Sequence, residues 1–389
     1  MKILVFANTF NVASGGDKIF VKCCKYWQNH NNKILIVTNE KGFNFCLNSG
    51  IKESNLEIWR SFFLDKLNIR ISYIYKTLVS VIRGIFLNTY EYEVVFSSSD
   101  FLPDVLPALI NKIKNKKIKW ISAFYLFAPK PWQKNNPYKG KYFIIGVFYW
   151  LSQLISYYIT KNVSDIVLVT NYDYIKSFIN RKRDANKIMV FKGVVDINET
   201  ERYFSAAQFI PFEKKIYDGC FVGRLHPQKG VLQLIDIWGK VCQKIPKARL
   251  AIIGAGILQD KLREKIISKC LQNSVELLGF KDGREKYEVF KISKVFVQPS
   301  LYETFGMATV EAMAWGLPVV GFDLESLRLY FTKGMFKVPC FDLNKFSDKI
   351  IELLKDKNLY QNTSEEARIY AKQFDFREAI RDLNEILLK

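Results

Sequence analysis

Glu303 and Glu311 stand eight positions apart in the segment Glu303-Thr-Phe-Gly-Met-Ala-Thr-Val-Glu311-Ala-Met-Ala-Trp-Gly-Leu-Pro-Val-Val320. Between them, Phe305, Gly306 and Met307 open a helix, and Gly316-Leu-Pro318 closes it before a strand. A loop carboxylate, amides at a helix start and a carboxylate inside the helix can hold a ligand with both hydroxyls and phosphates. Hydroxyls donate to carboxylates, and phosphate oxygens favour the positive helix N-terminus. A sugar nucleotide carries both groups. A second constellation is Phe221-Val-Gly223-Arg224-Leu-His-Pro-Gln-Lys229-Gly230. Here a strand ends at Gly223, a short loop carries two cations, and a helix starts at Gly230. That is an anion site in outline. Arg224 can grip a phosphate with two parallel bonds, and Lys229 adds a mobile point charge. Taken alone, the loop reads equally well as a turn with surface cations.

These residues need elements to position them. From Ile216 to Val320, strand-like and helix-like runs alternate with short connections. Strands are expected at 216–222, 249–253, 275–278, 295–298 and 319–320, and helices at 230–243, 258–270, 284–292 and from Gly306. The first half repeats the rhythm less cleanly. Its strands are expected at 2–6, 34–38, 94–97, 119–123, 166–170 and 188–191, with helices at 16–29, 103–113 and 172–180. This is the pattern of α/β, doubly wound parallel sheets. Regular periodicity lapses from Gly193 to Phe212. Two Rossmann-like domains are therefore expected, 1–195 and 196–375, with a last helix, 376–388, that can pack back onto the first. Such sheets bind ligands at the carboxyl ends of their strands, so two domains facing each other would enclose a cleft.

The chain resembles the retaining glycosyltransferases of the GT-B fold, family 4 type. The resemblance rests on Gly223 to Gly230, Gly254-Ala-Gly256, Leu278-Gly279-Phe280, Pro299-Ser300 and Glu303 to Val320, in family order. In the first domain it thins to the opening strand, Gly15-Gly16 and Asn29-His30. The resemblance implies that Arg224 and Lys229 bind the donor diphosphate and stabilise the charge that develops on it. It implies that Glu303 bonds donor-sugar hydroxyls beside the backbone of Phe305, Gly306 and Met307, and that Glu311 holds the ribose. Gly279, Phe280 and Lys281 would lie near the base, and Gly15 and Gly16 would approach the phosphates across the cleft. The sugar would pass to an acceptor hydroxyl with retention, and no metal or other cofactor is expected. Many members carry a first-domain histidine after a strand comparable to 119–123. Here the stretch reads Ser122-Ala-Phe-Tyr-Leu-Phe-Ala-Pro129. Tyr125, Asp100, Asp104 and His226 are the candidates to assist instead, while His30 reads as a turn residue.

Composition bears on the acceptor. The net charge is +20 over 389 residues. Residues 1–195 hold 28 Lys and Arg against 12 Asp and Glu, and the rest hold 30 against 26, so the first half is the basic half. An anionic membrane surface, an anionic substrate or nucleic acid would suit that charge. No nucleic-acid module is recognisable, and the cations alternate with long apolar runs. From Tyr142 to Ile159 no residue is charged. That run reads as a cleft-lining helix, an interfacial helix or, at the lower length limit, a membrane span. In Lys66–Leu87, Lys66, Arg70, Ser72, Lys76, Thr77, Ser80 and Arg83 share one helix face, and Leu67, Ile71, Ile74, Leu78, Val81, Ile82 and Ile85 the other. This is either an interfacial helix on anionic lipid or an ordinary helix with its polar face in solvent.

Seven scattered cysteines without a C-x-x-C pair suggest reduced thiols in the cytoplasm. The start reads as a buried strand, because its apolar run is short for a signal peptide and no cleavage site follows. The leading expectation is a peripheral enzyme at the inner face of the plasma membrane, acting on a lipid-linked or membrane glycan precursor. The alternatives are the same chemistry on a soluble glycan or protein, and a non-catalytic binding or scaffold protein of this fold.

Overall fold

Ile3-Leu-Val-Phe-Ala7 and Val94-Val-Phe-Ser97 lack the alternation of a half-exposed strand and are buried along their length. That pattern belongs to strands covered on both faces. A computed structural model describes residues 1–10, 15–59, 69–133, 136, 138–181, 183–193, 195–206, 209–303 and 305–388. They divide into two compact units, Met1–Gly193 with Arg377–Lys389, and Val194–Phe376.

The first unit contains β1 (Lys2–Ala7), α1 (Gly15–Asn29), β2 (Lys33–Thr38), α2 (Glu40–Asn48), β3 (Leu56–Ile58), α3 (Ile69–Phe86), β4 (Val94–Ser97) and α4 (Leu102–Lys114). It continues through β5 (Lys119–Ala123), α5 (Phe143–Val163), β6 (Ile166–Val169), α6 (Ile175–Phe178) and β7 (Ile188–Val190). The sheet runs β3-β2-β1-β4-β5-β6-β7, and every pairing is parallel.

The second unit contains α7 (Ile197–Ser205), β8 (Tyr217–Val222), α8 (Val231–Lys244), β9 (Leu250–Ile253), α9 (Gln259–Ser268), β10 (Val275–Gly279), α10 (Gly283–Lys291) and β11 (Ser293–Gln298). After these come α11 (Met307–Ala314), β12 (Val319–Phe322), α12 (Glu325–Arg328), β13 (Met335–Val338), α13 (Leu343–Lys355) and α14 (Lys357–Ala371). Its parallel sheet runs β10-β9-β8-β11-β12-β13. Side chains alternate across it. Val295 and Val297 join the core beneath α8, while Phe296 joins the core beneath α11. Two helix layers thus sandwich one sheet.

The final helix, α15 (Phe376–Leu388), belongs almost entirely to the first unit. Trp27 Nε1 donates to Asn384 Oδ1 at 2.9 Å, and Lys119 Nζ donates to the Leu387 carbonyl at 2.8 Å.

Candidate functional site

In the second unit the chain steps outward from β8 to β9 and β10 on one side, then returns to β11 on the other. The β8–β11 boundary is therefore the topological switch point of the sheet, where sheets of this kind form a ligand crevice at the carboxyl ends of their strands. Arg224 and Lys229 lie on the first loop and Glu303 on the second.

The backbone fixes these loops to each other. Leu301 N donates to the Gln228 carbonyl at 2.8 Å, and Tyr302 N to the same oxygen at 3.3 Å. Gly230 has φ +62, and a Cβ there would lie 1.9 Å from the Pro299 carbonyl oxygen. On the other side, Leu225 N donates to the Ala255 carbonyl at 2.9 Å, and Gly254 N to the Gly279 carbonyl at 2.8 Å. A Cβ on Gly254 would lie 1.9 Å from the Gly223 carbonyl oxygen. The Gly254-Ala-Gly256 pair thus acts by letting the loop after β9 press on the loop after β8.

Lys229 Nζ donates to Glu303 Oε2 in an ion pair whose side chains are 20% and 12% exposed. Gln298 Nε2 reaches the same oxygen at 3.5 Å, and Ser326 Oγ donates to the Glu303 carbonyl. Arg224 is exposed, with Nη2 3.5 Å from Gln228 Oε1. His226 Nδ1 accepts from Gln228 N at 3.3 Å and so caps the turn Pro227–Lys229. Burial, then the charges of Arg224 and Lys229, push the imidazole down to about 4. His226 therefore shapes the loop as a neutral ring.

Glu311 is buried in α11, where Lys286 Nζ lies 2.8 Å from its Oε1. Lys286 also lies 3.1 Å from Asp282 Oδ1. Gly306 precedes α11, and no side chain caps the helix among the described residues. Its first-turn amides are thus placed for an anion. Phe305 is buried against Tyr330, Phe331 and Phe374, so its ring is core and only its backbone borders the site. Met307 is half-buried. Gly279 ends β10, Phe280 follows it 49% exposed, and Lys281 lies 4.0 Å from Glu285. Sequence reasoning missed Lys286, Gln228 and Gln298. The four-residue spacing of Asp282 and Lys286 was visible, but it reads as a surface ion pair.

Gly15 and Gly16 open α1 in the first unit. That unit's sheet diverges between β1 and β4, where Asp104 is fully buried. Asp104 accepts from Asn8 N at 2.6 Å, Thr9 Oγ1 at 3.0 Å and Ser99 Oγ. Burial outweighs these donors and pushes Asp104 up to about 7. Asp100 is raised to about 6 by burial and accepts from Gln153 Nε2 at 2.7 Å. The Tyr125 hydroxyl is buried without a hydrogen-bond partner among the described residues, and its phenol is held well above the usual range by burial. His30 stacks on Tyr26 at the surface, as expected of a turn residue.

Two helices of the first unit run against the usual polarity. On α3, Ile71, Ile74, Leu78, Ile82 and Ile85 are about half exposed, whereas Ser80 is buried. Gly84 packs on Pro107 of α4, and Arg83 Nη1 turns in toward the Ile58 carbonyl at 3.5 Å. The expectation of an ordinary helix with its polar face in solvent is therefore overturned. Residues 66–68 of that expected segment lie outside the described residues. On α5 the buried residues are Gly146, Ser152, Gln153, Ser156 and Thr160. Gln153 Oε1 accepts from Ala128 N at 2.6 Å, Ser156 Oγ donates to the Asp100 carbonyl, and Thr160 bonds Ser122 at 3.0 Å. Phe143, Ile144, Leu151, Ile155 and Tyr158 face outward. Tyr73 of α3, whose hydroxyl accepts from Leu102 N at 3.0 Å, meets Phe148 of α5 edge-on at 5.5 Å.

Among the described residues no group of three or more His, Cys, Asp or Glu could hold a metal ion, and all seven cysteines are thiols.

Residues 206–370 match the family model described as glycosyl transferases group 1. An uncharacterized glycosyltransferase of Methanocaldococcus jannaschii is 31% identical over 66% of this chain and 60% of its own length. The poly(glycerol-phosphate) alpha-glucosyltransferase of Bacillus subtilis is 30% identical over 42% of this chain and 24% of its own. The chain thus spans less than two thirds of these relatives. Anabaena HepE, solved with UDP and glucose, superposes with a TM-score of 0.75 at 16% identity over 100% of both chains. A TarM mutant of S. aureus, solved with Fondaparinux, alpha-GlcNAc-glycerol and UDP, gives 0.73 at 13% identity over 100% of both. The two Rossmann-like units have the GT-B fold of these glycosyltransferases.

Proposed function

We propose that this chain is a glycosyltransferase that moves a sugar from a nucleoside diphosphate to an acceptor hydroxyl. The observation that carries the reading is the Lys229–Glu303 pair across the crevice between β8 and β11, beside the start of α11, which no described side chain caps. An ammonium and a carboxylate so placed can receive a phosphate and a sugar hydroxyl side by side. The match over residues 206–370 and the UDP bound in HepE and TarM support a uridine nucleotide as donor.

In this mechanism Arg224 and Lys229 hold the diphosphate, α11 offers its first amides, Glu303 orients the sugar and Glu311 the ribose. The bond from C1 to the diphosphate oxygen breaks while the acceptor oxygen bonds to C1 from the same face, with retention. The acceptor proton passes to the departing diphosphate oxygen. The two cations stabilise the charge that builds on that leaving group, a term of about 3–4 kcal/mol per donor. No metal is required, because the cations and the helix start supply the positive field.

The acceptor is a lipid-linked or membrane glycan precursor, approached with the protein lying on an anionic bilayer at the cytoplasmic face. The outward aliphatic faces of α3 and α5, both in the basic half of the chain, support this part. The polar side of α5 is bonded into its own unit from Gln153 to Thr160, which favours a helix lying in the interface over one that crosses. The test of the chemistry is turnover of UDP-sugars by the wild type and by Glu303→Gln and Arg224→Ala, with the product anomer assigned by NMR. Unchanged turnover in both variants sinks the catalytic assignment.

A further inference from the structure

Lys286 is 1% exposed and bonds two carboxylates, Asp282 Oδ1 at 3.1 Å and Glu311 Oε1 at 2.8 Å. A buried lysine needs such pairing, since its charge has no water. The arrangement departs from the local rule in one respect. Asp282 occupies the N-cap of α10, where an Asp normally accepts from an amide of the first turn. Here its side chain makes no such bond and turns to Lys286 instead. Asp282 follows directly on Gly279-Phe280-Lys281 at the end of β10, and Glu311 lies on α11. One buried ammonium therefore ties the segment proposed for the base to the carboxylate proposed for the ribose.

We propose that Lys286 is a positioning residue for nucleoside recognition. It holds Oε1 of Glu311 so that the carboxylate keeps one orientation toward the ribose hydroxyls, and it holds Asp282 so that the Phe280 loop keeps its place. This inference rests on the reading of the site as a sugar-nucleotide site. It separates the nucleoside half, set by Lys286, from the diphosphate half, set by Arg224 and Lys229.

The experiment measures inhibition of sugar transfer by UDP, 2′-deoxy-UDP, 3′-deoxy-UDP and inorganic pyrophosphate. The wild type is expected to lose roughly tenfold in affinity when a bonded ribose hydroxyl is removed. In Lys286→Met that discrimination is expected to fall to about twofold or less, with KM for the donor raised about tenfold and kcat within about twofold. Pyrophosphate inhibition should stay unchanged, which a general collapse of the site would not allow. Lys286→Arg should restore part of the discrimination. Because removing Lys286 takes a cation away from the buried Glu311 carboxylate, Lys286→Met/Glu311→Gln provides a second, charge-neutral route and should show the same loss. Full ribose discrimination in either variant, or an equal loss for pyrophosphate, overturns the inference. If UDP does not inhibit the wild type but GDP does, the same series is run with GDP and its deoxy analogues. If neither inhibits, the reading of the site itself falls and the inference with it.

Discussion

Gly230 and the Pro299 carbonyl stand so close that a Cβ on the glycine would lie 1.9 Å from the oxygen. This approach holds the loop of Lys229 against the loop of Glu303. Gly230 is also left-handed, at φ +62, which costs an L-residue about 1–2 kcal/mol before any clash. Gly230→Ala must therefore push the two loops apart. We expect a melting temperature lower by several degrees and a fall in kcat/KM of about a hundredfold, since a shift near 1 Å in reacting groups costs that much. A near-wild-type kcat/KM would show that the two loops need not be in register for turnover.

Lys229 and Glu303 should behave as a coupled pair. Lys229→Met removes the proposed phosphate contact and takes that cation from Glu303, and Glu303→Gln does the converse. Measured as a double-mutant cycle on kcat/KM, their losses should be non-additive by about 0.5–3 kcal/mol. Arg224, on the same loop but exposed and in contact with Gln228, should add to Glu303 within about 0.5 kcal/mol. Additivity for both cations would mean that Lys229 and Glu303 meet only incidentally.

Much of this architecture was legible in the sequence, for physical reasons that differ between elements. β4 and β5 fall at 94–97 and 119–123 as expected, because strands buried on both faces read as short, mostly apolar runs, in which Ser97 and Ser122 are buried by bonding each other. β3 and β13 are short and carry Glu57 and Lys337, so nothing in their pattern separates them from loops. Arg224, Lys229 and Glu303 lie on the loops after β8 and β11, where Gly230 and Gly254 mark close backbone approaches that no side chain allows. Lys286 was not legible, because burial of one lysine in an i,i+4 pair depends on tertiary packing. The direction of α3 and α5 was not legible either. A segregated pattern states that a helix has two faces, and only packing decides which one is inside.

Asp104 gives the first unit a pH signature. Its carboxyl is raised to about 7 by burial, against an ordinary value of 3.8. Between those values the folded chain keeps a proton that the unfolded chain has released. Stability from this group is full below the lower value and is lost as pH rises through the upper one. Asp104→Asn removes the titration while leaving an oxygen to accept from Asn8 N. Between pH 5 and pH 8 the wild-type melting temperature should therefore fall more than that of the variant. Asp100, raised to about 6, titrates in both chains and cancels in the comparison. Parallel curves would mean that Asp104 stays ionised across the range despite its burial.

The outward stripe on α3 allows the proposed membrane attachment to be tested apart from folding. Leu78 and Ile82 are each about half exposed, so Leu78→Ser/Ile82→Ser removes little packing and should change stability by about 1 kcal/mol or less. Each side chain contributes roughly 1.5–3 kcal/mol when fully transferred from water to an apolar phase, so the pair should lower bilayer affinity by tenfold or more. Adding Ile155→Ser on α5 should weaken binding further, because Ile155 is half exposed on a second outward apolar face. The measurement is co-sedimentation with vesicles containing anionic lipid, at low and high salt, alongside turnover of a soluble acceptor analogue. Binding that vanishes in salt but ignores these substitutions would assign attachment to the lysines and arginines alone. Binding lost with turnover on the soluble analogue intact would place attachment on the α3–α5 face and leave the β8–β11 crevice to the chemistry.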